Sequence, residues 1–178
     1  MSFSNKKGFT LIELLIVIAI IGILAVAFLP SLLDAPAKGR DAQRMASVQK
    51  IQNFLVTQTL AGKPLPDSGC IDSAGAADTI GKLINDNVSD FGGVYPLDPQ
   101  SDATKGNKTT GAVPECIGKY GYVKFSSGNY TAGIYAAVEK LENANAKCNT
   151  IKAATPPTLG KVASLGAGEV GCYAVLLD

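Results

Sequence analysis

The chain carries, at residues 8–33, the stretch GFTLIELLIVIAIIGILAVAFLPSLL, and this stretch decides the fold. Its one charged residue is Glu13, and about twenty uncharged residues follow from Leu14 to Leu33, which is the length a helix needs to cross the hydrocarbon core of a bilayer. No polar face is present between Leu14 and Phe28. The segment is therefore expected to be buried in lipid or against other helices.

Two lysines, Lys6 and Lys7, precede the apolar stretch. Positive charge favours the cytoplasmic side of a membrane, so the residues after Leu33 are expected to lie on the other side. A secretory signal peptide is the alternative, because it also begins with basic and then apolar residues. It is disfavoured because the apolar stretch exceeds the usual length of about 7 to 15 residues and no clean cleavage site follows before Pro30.

The segment GFTLIEL at residues 8–14 resembles the class III leader of type IV pilins and of the related pseudopilins of type II secretion systems. The resemblance implies that a membrane prepilin peptidase cuts after Gly8 and that the new first residue, Phe9, is N-methylated. It also implies a glycine and a helix-kinking proline within the membrane segment. Gly22 and Pro30 occupy those positions.

Glu13 needs an explanation of its own, because a charge at the centre of a membrane helix costs about 2.5 to 3.5 kcal/mol. One interpretation places the carboxylate near the helix N-terminus, where the helix dipole favours an anion and no partner is required. The other, implied by the resemblance, pairs it with the amino group of Phe9 in a neighbouring copy. We favour the second because no lysine or arginine lies between Phe9 and Leu33.

The helix is predicted to continue beyond the membrane segment, from Phe9 to about Leu60. Charged residues appear there, but an apolar stripe persists at helical spacing and is expected to dock on the globular domain. The stripe consists of Met45, Val48, Ile51 and Leu55. Pro30, and Pro36 with Gly39, are expected to interrupt the helical conformation.

The rest of the chain is predicted to form a short helix, a long loop and a small sheet. The predicted elements are a helix at 78–91, a loop at 92–119, a hairpin of strands 120–125 and 130–138, and a strand at 170–177. The fold class is therefore α+β, a long N-terminal helix packed on a small antiparallel sheet. The expected divisions are a leader at 1–8, a transmembrane half-helix at 9–33, an outer half-helix at 34–62 and a globular domain at 63–178.

Four cysteines lie in the part expected to be translocated. An even number in an oxidising compartment indicates two disulfides, and four cysteines allow three pairings. We favour the pairing in which each bond closes a loop without crossing the other. That pairing joins Cys70 to Cys116 and Cys148 to Cys172.

The sequence offers little for catalysis or for ligand binding. The chain has no histidine, which removes the commonest general base and every Ser-His or Cys-His pair. Asp98 and Asp102 are weak candidates for calcium, because they lack a regular ligand spacing. A net charge of +1 gives no electrostatic indication of nucleic-acid binding. No enzyme activity and no cofactor are therefore expected.

The expected function is that of a structural subunit of a type IV pilus, with adhesion, motility or DNA uptake open. Its expected partners are copies of itself in a helical filament, the prepilin peptidase and assembly machinery, and the inner membrane before assembly. The expected location is the cytoplasmic membrane, with the N-terminus inside, and then a filament on the cell surface. A type II secretion pseudopilin is the first alternative, and an uncleaved membrane-anchored enzyme or sensor is the second.

Overall fold

The computed structural model describes residues 8–72, 79–101 and 107–178. The chain forms two compact units that divide between Pro36 and Ala37. The predicted divisions at residues 8, 33 and 62 stay predictions. The elements are α1 (Leu11–Leu60), β1 (Gly69–Ile71), α2 (Ile80–Asp86), β2 (Tyr120–Lys124), β3 (Ala132–Ala137), β4 (Ala146–Lys147) and β5 (Gly171–Leu177), with 3₁₀ turns at Val88–Phe91, Leu141–Asn143 and Cys148–Thr150.

Helix α1 ends where the sequence predicted. Gly62 N–H donates to the Thr59 carbonyl at 2.9 Å, and Lys63 N–H donates to the Gln58 carbonyl at 3.0 Å. Gly62 has φ +73°, a conformation that costs glycine little. This bond pattern is the Schellman motif, which satisfies the last helical carbonyls and stops the helix.

The expected interruption of α1 is wrong, because the helix is continuous from Leu11 to Leu60. A proline inside a helix removes one backbone donor, and the hydrogen bonds of the flanking turns remain to hold the conformation. Pro36 and Gly39 are likewise accommodated within the helix. A bend of the helix axis at Gly22 and Pro30 stays a prediction.

The strands form one antiparallel sheet in the order β1-β2-β3-β5-β4, which confirms the predicted α+β class. The predicted hairpin is β2 and β3, with Gly121 opposite Tyr135. A Cβ on Gly121 would lie 2.1 Å from the Tyr135 ring, so this pair requires a glycine. Strands β1 and β4 were not predicted, because three and two residues are too few to show an alternating pattern.

The outer part of α1 packs on the sheet through the predicted apolar stripe. Val48, Ile51 and Leu55 are fully buried and join a core that includes residues from β2, β3 and α2. This confirms the docking face for these three residues, whereas Met45, the fourth predicted residue, is only partly buried and lies outside this core. The core cluster consists of Val48, Ile51, Phe54, Leu55, Ile71, Ile80, Ile84, Tyr120, Tyr122, Ala132, Ile134, Ala136 and Leu177.

Helix α2 covers one side of this core with Ile80 and Ile84. The predicted helix at 78–91 is present in two pieces, α2 and the 3₁₀ turn at Val88–Phe91. Its expected first residue, Asp78, lies outside the described residues. The side chain of Thr79 accepts a hydrogen bond from Lys82 N–H and so caps α2 from its N-terminal side.

Both expected disulfides are present, in the favoured pairing. Cys70 in β1 is bonded to Cys116, with a Cα–Cα distance of 5.7 Å. Cys148, just after β4, is bonded to Cys172 in β5, with a Cα–Cα distance of 5.1 Å. The second bond fixes both ends of the irregular segment between β4 and β5.

Candidate functional site

The start of α1 is held by a reciprocal pair, Thr10 and Glu13. Thr10 N–H and Thr10 Oγ1 donate to Glu13 Oε2 at 2.8 and 2.6 Å, and Glu13 N–H donates to Thr10 Oγ1 at 3.3 Å. This arrangement is a capping box, in which two backbone N–H groups without helical partners are satisfied by side chains. In the single chain, therefore, Glu13 already has a local partner within the first turn.

From Leu14 to Leu33, helix α1 exposes its large apolar side chains all around. The exposed fraction ranges from 47% at Val17 to 75% at Val26, and Phe9, just before the helix, is 85% exposed. The stretch is long and apolar enough to cross a membrane. So much exposed apolar surface requires lipid or other helices as its surroundings.

Gly8 and Phe9 precede the first helical residue and are exposed. An added Cβ at Gly8 or at Gly22 meets no atom within 4 Å, so the chain itself does not require glycine at either position. The basic residues Lys6 and Lys7 lie outside the described residues. The segment is therefore accessible. Cleavage after Gly8 and methylation of Phe9 stay predictions.

A second feature, a buried ionic cluster around Arg44, was not predicted. Arg44 Nε and Nη2 donate to the two carboxylate oxygens of Asp98 at 2.8 and 3.1 Å. Arg44 Nη1 donates to Asp41 and to Glu139 at 2.8 Å each, and Nη2 also donates to the Gln100 side chain at 3.1 Å. Burial opposes the charged form of Arg44, but the bonds to Asp98 and Glu139 outweigh it and raise its pKa.

The carboxylates of the cluster are also held by the backbone. Asp41 accepts hydrogen bonds from the N–H groups of Glu139 and Lys140, both at 2.9 Å, and from the Asn143 side chain at 2.9 Å. Glu139 accepts from Arg40 Nε at 2.7 Å, and this bond, with those from Arg44, lowers its pKa to about 2. The cluster therefore ties α1 to the segments on both sides of the β2–β3 hairpin, around residues 98 and 139.

The cluster changes the interpretation of Asp98. The weak calcium candidate uses both carboxylate oxygens to bind Arg44, and Oδ1 also accepts from Gln100 N–H at 2.8 Å. Asp102 lies outside the described residues. Within residues 8–72, 79–101 and 107–178, no group of three side chains able to hold a metal ion comes together.

Part of the cluster could have been predicted from the spacing of residues in the sequence. Asp41 and Arg44 precede Val48 by seven and four positions, so they extend the apolar stripe of α1 backwards on the same face. Both are fully buried. Two charged residues on the buried face of a helix indicate partners elsewhere in the fold.

Comparison with known proteins finds one matching family model and several similar proteins. The family described as "Prokaryotic N-terminal methylation motif" matches residues 3–29. The chain is 39% identical to Fimbrial protein Q of Moraxella bovis over 49% of this chain and 47% of that protein. It is 65% identical to the Type IV wide pilus major component PilA4 of Thermus thermophilus over 21% of this chain and 28% of that protein.

A longer match links the chain to the Type IV major fimbrial protein FimA of Dichelobacter nodosus. It is 31% identical over 57% of this chain and 68% of that protein. By contrast, the matches to Moraxella bovis Fimbrial protein Q and a Pseudomonas aeruginosa Fimbrial protein span less than half the length of each relative. No solved structure matches the chain.

Proposed function

The chain belongs to the type IV pilins, and from this membership we propose that it is a structural subunit of a type IV pilus. The proposed filament is helical and is built from copies of this chain. The observation that carries the proposal is the exposed, uncharged helical surface from Leu14 to Leu33, which directly follows Glu13 and is preceded by Gly8-Phe9. A catalytic role and a cofactor form no part of the proposal.

The first proposed step is maturation in the membrane. The prepilin enters the cytoplasmic membrane with Lys6 and Lys7 inside, and the prepilin peptidase cuts between Gly8 and Phe9. Glycine suits a cleavage site because a peptidase needs an extended backbone without an obstructing side chain. The new amino group of Phe9 is then N-methylated, one residue before the capping box formed by Thr10 and Glu13.

The second proposed step is transfer of the apolar half-helix from lipid into a filament. Lipid chains are as apolar as leucine, so this transfer gains little from the hydrophobic effect and depends on helix packing and polar contacts. Glu13 is the one acidic group in the segment, and the mature chain adds one amino group at Phe9. Pairing of Glu13 with Phe9 of a neighbouring copy would offset the burial of both charges only in the assembled filament.

The experiment that tests the proposal combines filament purification with mass measurement. Surface filaments sheared from cells should contain this chain, beginning at N-methylated Phe9. Gly8→Val should block maturation and leave the intact leader, while Gly22→Ala, another glycine with open space at its Cβ, should be processed normally. Filaments made of chains that begin at Met1, or a chain that never enters a surface filament, would contradict the proposal.

A type II secretion pseudopilin is the alternative, and one sequence feature keeps it open. The segment YPLDP at residues 95–99, followed by a tyrosine-rich strand, is similar to the pattern of the major pseudopilin. Gene neighbourhood separates the two functions, because pilus and secretion genes form different clusters. A membrane-anchored enzyme or sensor would instead keep its N-terminus uncleaved, which the mass measurement detects.

A further inference from the structure

Strand β5 has one edge that is only partly covered. Its inner edge pairs with β3 from Cys172 to Leu177, but on the outer edge β4 pairs with only Gly171 and Cys172. Among the described residues, no further strand lies beside the outer edge after Cys172. An open cleft of about 880 Å³ runs along it and is lined by Gln52, Asn145, Thr158, Ala174 and Leu176, among others. This edge is therefore accessible from outside.

The composition of β5 would make an unprotected edge prone to pairing with other chains. The strand reads GCYAVLL and has no charged residue and no proline. Short segments of high β-propensity and low charge are the ones that pair with identical segments of other chains. Natural sheets protect such edges with bulges, charges, prolines or covering groups.

Asn145 occupies this edge in the way that a strand residue would. Its Nδ2 donates to the Ala174 carbonyl at 2.7 Å, and its Oδ1 accepts from Ala174 N–H at 2.7 Å. These are the two hydrogen bonds that a residue of a neighbouring antiparallel strand exchanges. The side-chain amide of Asn145 thus replaces a peptide group.

The backbone of Asn145 is fixed on both sides, which holds the amide in place. Its N–H donates to the Cys172 carbonyl at 3.0 Å, and its carbonyl accepts from Gly160 N–H at 2.8 Å. Farther along the edge, Gln52 Nε2 donates to the Leu176 carbonyl at 3.0 Å. The outward carbonyls of β5 at residues 172, 174 and 176 are therefore all occupied by Asn145 and Gln52.

We propose that Asn145 is a plug that prevents β5 of one copy of this chain from pairing with β5 of a second copy. The second copy is the occupant because two identical uncharged strands can pair antiparallel about a two-fold axis, each presenting the same edge. Removing the amide would free the backbone groups of Ala174 at the middle of that edge. The proposal rests on the sheet edge alone and is independent of the proposed pilus function.

The test compares full-length protein in detergent micelles as wild type, Asn145→Ala and the matched control Asn129→Ala. Asn129 is exposed on the same cleft but lies outside β5. Light scattering after size exclusion gives the number of chains per particle, and hydrogen exchange gives the protection of the Ala174 amide. Any association through the membrane helices is common to all three proteins and forms the background.

The expected result is that Asn145→Ala forms particles of at least two chains above this background, while wild type and Asn129→Ala do not. In its single-chain fraction, the Ala174 amide should exchange about ten-fold faster than in wild type. Particles of Asn145→Ala no larger than those of wild type would overturn the proposal. If Asn145→Ala does not fold, the test is hydrogen exchange in the wild-type protein. Its Ala174 amide should then exchange about ten-fold more slowly than its Leu176 amide. Equal exchange rates of these two amides would overturn the proposal.

Discussion

Arg44 and Asp98 lie 54 positions apart in the chain and are joined by two parallel hydrogen bonds, with exposed side-chain fractions of 0% and 3%. Two parallel N–H···O bonds are a geometry that arginine provides and lysine does not. The pair fixes the loop before β2 against α1. The stability of the globular unit should therefore depend on the shape of this side chain as well as on its charge.

Arg44→Lys should destabilise the globular unit by about 1 to 3 kcal/mol, because lysine keeps the charge but cannot make all five hydrogen bonds of the guanidinium, so that buried acceptors lose a donor. Lys38→Ala is the matched control, since Lys38 is an exposed cation of the same helix paired with Glu142, and its loss should cost about 0 to 1 kcal/mol. Denaturant unfolding of the full chain in detergent measures both. Equal effects of the two substitutions would show that the cluster does not stabilise the fold.

The free energy of unfolding of the globular unit should fall at acid pH, because Glu139 becomes protonated. The bonds from Arg40 and Arg44 lower its pKa from 4.5 to about 2, so the folded chain binds this proton less readily than the unfolded chain. The contribution is complete above pH 4.5, is lost as the pH falls towards 2, and amounts to about 3 kcal/mol. Unfolding measured across this range should show a shallower loss for Glu139→Gln than for wild type. Parallel profiles would contradict the assignment to Glu139.

Glu13→Ala should leave membrane insertion and folding intact and should remove or slow filament growth. Two controls separate charge pairing from helix capping. Glu13→Gln keeps an oxygen that can accept from Thr10 N–H but loses the charge, whereas Thr10→Ala weakens the cap, typically by about 1 kcal/mol, and keeps the charge.

Surface filaments are imaged for all three variants, with immunoblots to confirm normal membrane levels. If pairing with Phe9 of a neighbour drives assembly, Glu13→Gln should fail in the same way as Glu13→Ala, and Thr10→Ala should still assemble. Normal filaments from Glu13→Gln would instead assign Glu13 to the capping box alone.

Replacing Cys148 and Cys172 together by serine should cost about 2 to 4 kcal/mol, because the bond closes a loop across 24 positions. The loss should appear first as faster hydrogen exchange in β4 and β5, while α1 keeps its helical signal. Replacing Cys70 and Cys116 together is the comparison, and it should loosen β1 instead. An unchanged exchange pattern at β5 would contradict a stabilising role for the second disulfide.

The sequence predicted the parts of the fold that have a regular pattern. The long helix, the β2–β3 hairpin and β5 each show a repeated spacing of apolar residues or a turn between such segments. The disulfide pairing followed from an even cysteine count and the absence of crossing loops. Strands β1 and β4 were missed because their pairing comes from tertiary contacts and not from any local pattern.

The buried ionic cluster could be predicted only in part. Asp41 and Arg44 lie on the apolar stripe of α1 when it is extended backwards, so their burial could have been predicted from their spacing. Their partners Asp98 and Glu139 come from segments without helical or alternating periodicity, and nothing local indicates that they meet Arg44. The same applies to Asn145, whose partner in β5 is 29 positions away.

The bond between Cys148 and Cys172 has a consequence for how the surface formed by the residues between them can change in evolution. It holds the Cα atoms of Cys148 and Cys172, which flank the segment from 149 to 171, 5.1 Å apart. Each doubling of the length of a flexible loop costs only about 0.6 kcal/mol in loop-closure entropy. Residues inserted between the two cysteines therefore destabilise the fold little. Within this segment Ile151 and Val162 are buried in the core, but most of the other side chains are exposed. The disulfide thus lets the exposed positions acquire new surface chemistry while the strands it joins keep their places.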